Sequence, residues 1–289
     1  MPRVILRQRL SVLRVLVGGF ALVHLLVRAP HLRQVARFDA FRFDPVGPLG
    51  FLDRPLSPVV VDAVLIAAVV LGVAFVAGWK MRVAGPAFAV VLLVLSTYRN
   101  SWGQVFHTEN LFVLHVLVIG LATPFIRADR DDDHGWPVDV CALITVLTYA
   151  VAGWAKIRHG GWAWIDGDAL RHQVAYDNVR KAALGDTWSS LGAALVRQGW
   201  VFGPLAIASL AVEMLAPLAL LRRRSRAAWA VAAWAFHVGI VALMAVVFAY
   251  PLSGIAFAPL FRLERLVDAL PRRYRRTGWS EPVPTATIT

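Results

Sequence analysis

The sequence predicts an all-α fold: a polytopic membrane helical bundle of about eight transmembrane helices, seven if the last apolar run does not cross, with both termini cytoplasmic. Three observations predict it. Hydrophobic residues make up 58% of the chain and mean hydropathy is +0.61, where soluble domains average about 45–50% apolar. The excess is gathered into runs of roughly 18–23 residues, long enough to cross about 30 Å of hydrocarbon. Basic residues collect in short segments between alternate runs, as the positive-inside rule requires of cytoplasmic loops. A β-barrel would show short alternating segments instead.

Taken in order, the first span covers residues 10–27. Its basic N-terminal flank (Arg3, Arg7, Arg9) resembles a signal peptide, but the run is long, carries Arg14, and is followed by no small-x-small cleavage site; it is read as a retained span. Residues 28–57 form a polar loop in which Pro45, Pro48 and Pro55 oppose any long helix. Spans follow at 59–78, at 83–97 (opened by Gly85-Pro86), at 105–126 with Pro124 near its end, and, after an acidic turn at 129–133, at 136–155. Residues 156–199 are the longest polar stretch and hold Trp162, Trp164 and Trp188. Tryptophan favours the headgroup level, so this segment is expected along the interface. Spans at 200–221 and 227–249 flank the Arg222–Arg226 cluster. The run 252–261 must snorkel or dip. Residues 1–268 thus read as a single transmembrane domain, and 269–289 as a basic, Pro/Thr-rich disordered tail.

With eight spans, more than half of the 30 basic residues fall in the inner segments. The net charge of +12 is then explained by orientation and by a bilayer with anionic headgroups, and nucleic acid is not an expected partner. Cys141 is the only cysteine, which excludes an internal disulfide and a thiolate metal cluster. No metal is expected, because no HxxxH or HxxE spacing occurs. The Arg-rich, Ala/Val-rich composition points to a GC-rich bacterium and hence to its plasma membrane.

Chemistry-bearing residues are few. Thr145, Tyr149, Ala152 and Lys156 recur at spacings of four, three and four, one face of a helix. A hydroxyl, a phenol and an amine on one stripe of an apolar helix must face protein or water. Lys156 suits either a general base or a lysine that reaches along the span end to water. His107 and Glu109 open the 105–126 span in the same leaflet as Lys156, with His115 deeper. The expectation is a polar cluster at the outer mouth of a cavity, or interfacial residues that meet water. Glu213 and His237 lie in the middle of apolar runs, where a carboxylate must be paired or protonated. His237, His115 or an arginine is the expected partner of Glu213.

The segment TYAVAGWAKIRHGGWAWIDGDAL, with Tyr149, Ala152, Gly153, Lys156, Trp164 and Gly167, resembles the Y-x-x-AG-x-x-K…W-x-x-G segment of vitamin K-dependent γ-carboxylases and their bacterial relatives, the horizontally transferred transmembrane (HTTM) family. HTENLFVLHVLVIGLATP, AVEMLAPLALL and AFHVGIVALMAVVFAYPL are similar to other spans of that family, and the likeness covers most of residues 10–265. The resemblance implies a quinone-type cofactor (vitamin K or menaquinone), Lys156 as the base acting on it, His107 as helper, and Tyr149, Glu109, His115, Trp164, Glu213 and His237 lining the pocket. The chain stops at residue 289, where the carboxylase continues into a large luminal region, and its lysine stands singly where the vertebrate enzyme has a pair. A small or lipid-like substrate is therefore expected. Two other functions compete: a non-catalytic, quinol-handling or assembly subunit of the DoxX kind, and a proton-coupled transporter with Glu213 and His237 as relay.

Overall fold

The structure, a computed structural model, describes residues 4–103, 105, 107–126 and 134–265. The acidic turn at 129–133 and the basic tail at 269–289 lie outside them. Among the described residues the chain is all helical, without strands. Among the described residues six helices are long and apolar enough to cross a membrane, and the chain is a multi-pass membrane protein. Large apolar side chains such as Val23, Val27, Ile66, Val70 and Val83 point outward and exposed, a surface suited to lipid and not to water.

The chain divides into two compact units, residues 1–141 with 261–289, and residues 142–260. The first is built on α1 (Val4–Val35), α2 (Pro58–Ala77), α3 (Met81–Asn100) and α4 (Asn110–Ala122). Helix α1 buries Leu10, Leu13, Val17, Ala21 and Leu25, a stripe at spacings of three and four that faces α2 and α4. It runs beyond the expected end at 27 and through Pro30, because Leu32 and Val35 continue the stripe. Arg33 fastens this extra turn to Asp62 of α2 at 2.7 Å. Helix α3 begins at Met81, so Gly85-Pro86 lies inside it and does not open it. Gly85 and Gly120 bring α3 and α4 so close that a Cβ at Gly85 would stand 2.9 Å from the Gly120 carbonyl oxygen, the small-residue crossing that membrane helices favour. The 36–57 loop makes only short 3-10 turns at Ala40–Arg42 and Gly47–Leu49. Phe43, Tyr98 and Trp102 pack it onto the end of α3.

Helix α5 (Trp136–Gly160) carries the boundary between the units. The second unit continues with α6 (Trp162–Ile165), α7 (Asp168–Ala183), α8 (Ser190–Leu195), α9 (Phe202–Met214), α10 (Arg223–Met244) and α11 (Ala249–Leu252). The expected span at 200–221 is therefore not one α-helix. It stops at Met214 and resumes as a 3-10 turn, Ala216–Leu220. Pro217 has no N–H for the Glu213 carbonyl and its ring clashes there, while Trp229 Nε1 donates to the Val212 carbonyl at 2.8 Å. The run at 252–261 holds the last residue of α11 and the 3-10 turn Ile255–Leu260, too short for a regular crossing helix.

The polar 156–199 stretch, expected along the interface, holds the three helices α6, α7 and α8. Helix α7 buries Val174, Asn178 and Lys181 on one side and serves the end of α10. Ser189, Asn178 and Lys181 donate to the carbonyls of Ala242, Leu243 and Met244. These acceptors would otherwise be orphaned, and Ala245, left-handed at φ 50°, ends the helix there and not at 249. Trp162 and Trp200 are exposed.

Asp177 on α7 forms ion pairs with Lys181 at 2.8 Å and with Arg180 at 2.9 Å. Burial raises its pKa, but the two cations outweigh burial and hold it below the ordinary 3.8. The charged form therefore stabilises the fold above pH 3.8, and that contribution is lost as pH falls through the lowered value. Asp177→Asn is expected to lower the melting temperature at pH 6, and the difference from the parent should shrink below pH 3.8. A difference independent of pH between 3 and 6 would contradict the assignment.

Candidate functional site

The stripe on α5 organises the second unit. Thr145 is fully buried and donates to the Ala256 carbonyl at 3.0 Å. One turn on, the Tyr149 hydroxyl meets His237 Nε2 at 2.7 Å. The Tyr149 ring stands edge-on to Trp229 at 5.1 Å, and Phe257 packs against both. Gly153 comes next. A Cβ there would sit 2.9 Å from Glu213 Cβ and 3.0 Å from Met214 Sδ, so only glycine lets the end of α9 approach α5 this closely. Lys156 follows within a turn and reaches Glu213 Oε1 at 2.6 Å.

This overturns the expected partner of Glu213, which is Lys156 and not His237, His115 or an arginine. The physical reason is the missing side chain at 153: helix contact at that point places the carboxylate within reach of the amine one turn along. His237 is joined to Tyr149 instead.

The ammonium lies between two rings, 4.7 Å from the Trp164 centroid and 5.4 Å from that of Phe236, and both faces attract a cation. The Lys156 side chain is 22% exposed and that of Glu213 5%. In an apolar setting the two groups offset each other's charge, so the pair costs far less than either ion alone. Of the buried side-chain polar atoms without a hydrogen-bond partner among the described residues, three belong to this cluster: Glu213 Oε2, His237 Nδ1 and Trp164 Nε1. Such atoms are rare in native interiors and each invites a chemical explanation. Glu213 Oε2 can accept a proton or a hydrogen bond from a bound hydroxyl. Trp164 Nε1 can only donate.

Tyr149, Lys156, Trp164, Glu213 and His237 thus all belong to the second unit. The other candidates belong to the first and are held by different partners. Glu109 is gripped by Arg99, with His24 Nε2 at 3.1 Å and Arg28 at 4.0 Å. His115 is fully buried, with Nε2 3.1 Å from the Cys141 carbonyl. His107 is exposed in the 3-10 turn His107–Glu109 that precedes α4. Sequence reasoning missed Phe236, Trp229 and Phe257 around the second-unit pairs, and His24, Arg28 and Arg99 around Glu109. A signal existed for two of these: His24 and Arg28 stand four apart on an apolar span. Among the described residues no group of three or more His, Cys, Asp or Glu side chains could hold a metal ion.

No protein-family model matches the chain, and neither the curated proteins nor the solved structures contain a significant match.

Proposed function

We propose that this multi-pass membrane protein is an enzyme of the HTTM, vitamin K-dependent carboxylase-like type, acting in a bacterial plasma membrane with both termini cytoplasmic. Its cofactor is of the quinone class and its substrate small or lipid-like. One observation carries the reading: an amine and a carboxylate joined at 2.6 Å on apolar helices, with the second carboxylate oxygen buried and unpartnered. The donor set fits a hydroquinone, a flat apolar ring that bears ionisable hydroxyls. Glu213 Oε2 would accept a hydrogen bond from a hydroxyl, Lys156 would hold or return the proton within the pair, and Trp164 Nε1 would donate to a ring oxygen. A quinone-class cofactor, bound in its hydroquinone form, would supply an ionisable hydroxyl and a ring able to carry electrons. His107, exposed in the first unit, has no part in this reading.

The chain purified in mild detergent is expected to retain a quinone-type molecule, detected by mass spectrometry of the extract. Lys156→Ala and Glu213→Gln should each lower retention by about tenfold or more, the effect of one charge-assisted hydrogen bond. Undiminished retention in both variants, or no retained apolar molecule in the parent, would remove the reading. Proton-coupled transport has one observation of its own, the unpartnered atoms on both Glu213 and His237. It requires proton flux in proteoliposomes that Glu213→Gln and His237→Gln abolish.

A further inference from the structure

At one end of the first unit, the start of α1, the α2–α3 turn and the end of α4 line a cavity of about 530 Å³, within the usual range of small-molecule sites of about 300–1,000 Å³. Arg7, Arg14, Lys80 and Arg82 line it, with no acidic side chain among the described residues. Leu10, Met81 and Ile119 supply apolar wall. Like charges sharing one cavity repel one another, and a bound anion would relieve that repulsion.

The backbone of the turn is shaped for this arrangement. Arg14 donates to the carbonyls of Phe75 and Val76 at the end of α2, so its guanidinium is fixed against the turn. Gly78 is left-handed at φ 77°, and a Cβ there would stand 2.8 Å from Arg14 Nη2. Lys80 is left-handed too, at φ 45°, a conformation uncommon and costly for a residue with a side chain. It contributes no side-chain cap to α3, whose first turn, Met81 to Val83, lines the same space. The positive end of a 20-residue helix therefore adds to the basic side chains.

We propose that this cavity binds a phosphate-class anion at the membrane surface, contacted by Arg7, Arg14, Lys80 and Arg82. Two sources share that chemistry, the headgroup of an acidic phospholipid and free phosphate. The cavity's apolar wall and its place at the ends of membrane-crossing helices suit the amphiphile. This site is separate from the Lys156–Glu213 pair, and its test does not depend on that reading.

Native mass spectrometry of the full chain in mild detergent tests it, with phosphatidylglycerol, phosphatidylcholine or inorganic phosphate added. Phosphatidylglycerol should bind in clear preference to phosphatidylcholine. The Arg7→Gln/Arg82→Gln double variant should weaken phosphatidylglycerol binding about thirtyfold, from two headgroup-facing charges, and Arg7→Lys/Arg82→Lys should restore most of it. Arg223→Gln/Arg224→Gln, which removes the same charge from the exposed start of α10, should leave binding unchanged. Retention of phosphatidylglycerol against excess inorganic phosphate assigns the headgroup. Displacement by phosphate, with a phosphate-dependent rise in melting temperature, assigns the free anion. Equal binding of the two lipids with no phosphate effect, or equal losses in both glutamine double variants, overturns the proposal.

Discussion

Glu213→Ala is expected to destabilise the protein by about 3 kcal/mol, because it leaves the Lys156 ammonium without its counter-charge in an apolar setting. Lys156→Ala should cost a similar amount by stranding the carboxylate. The carboxylate is nearly fully buried, whereas the amine keeps 22% exposure and can turn toward water, so the cost falls at the lower end of the usual range for a broken buried pair. The informative variant is the double one. Lys156→Met with Glu213→Leu keeps the volume and removes both charges, and should recover to within about 1 kcal/mol of the parent. Reversible unfolding in detergent measures all three. Added salt should change the result little, since a buried pair is poorly screened. If each single variant is as stable as the double, the two groups are not an ion pair in the folded protein. The double variant also separates stability from function: it should fold normally and still fail to retain the quinone-type molecule.

The second large effect concerns packing. Gly120→Leu is expected to destabilise the first unit by about 3 kcal/mol, the upper part of the range for overpacking a tight core. Even the first atom of a side chain at 120 would meet Ala89 Cβ at 2.9 Å and the Gly85 carbonyl oxygen closer still. Both are backbone or nearly so and have no rotamer by which to withdraw. The lost contact would be the α3–α4 crossing, which carries Arg99 and Glu109 beyond it. Gly19→Ala in the same unit is the control. Nothing lies within 4 Å of a Cβ there, so the change should be neutral or stabilise by up to about 1 kcal/mol through helix propensity. Comparable losses at 19 and 120 would mean that close helix approach is not what glycine provides.

These expectations depend on features of different legibility. The stripe Thr145, Tyr149, Ala152, Lys156 could be read directly, since helical spacing alone puts the four on one face. The need for a partner at Glu213 was also readable, since a carboxylate cannot sit bare in hydrocarbon. Its identity was not, because it depends on which helix α9 touches, and that contact is decided by a missing side chain at Gly153. The Arg99–Glu109 pair was hidden for a related reason: its members sit at helix ends, where a charge looks like an ordinary surface residue. Helix boundaries departed from expectation in both directions. Helices α1, α3 and α5 extend past their expected ends because tertiary partners, such as Asp62 for Arg33, receive their polar residues. Helix α10 stops early because Ser189, Asn178 and Lys181 accept the role of closing it.

What the sequence by itself determined is the solvent and the secondary structure. Apolar runs of membrane length must satisfy their own backbone hydrogen bonds, and in a single chain without alternating strands only helices do so. What the tertiary structure decided is which ionisable groups meet. Glu213 with Lys156, Tyr149 with His237, and the basic cavity beside Gly78 all arise where small residues or a left-handed turn let distant segments approach, and a one-dimensional pattern contains no record of that distance.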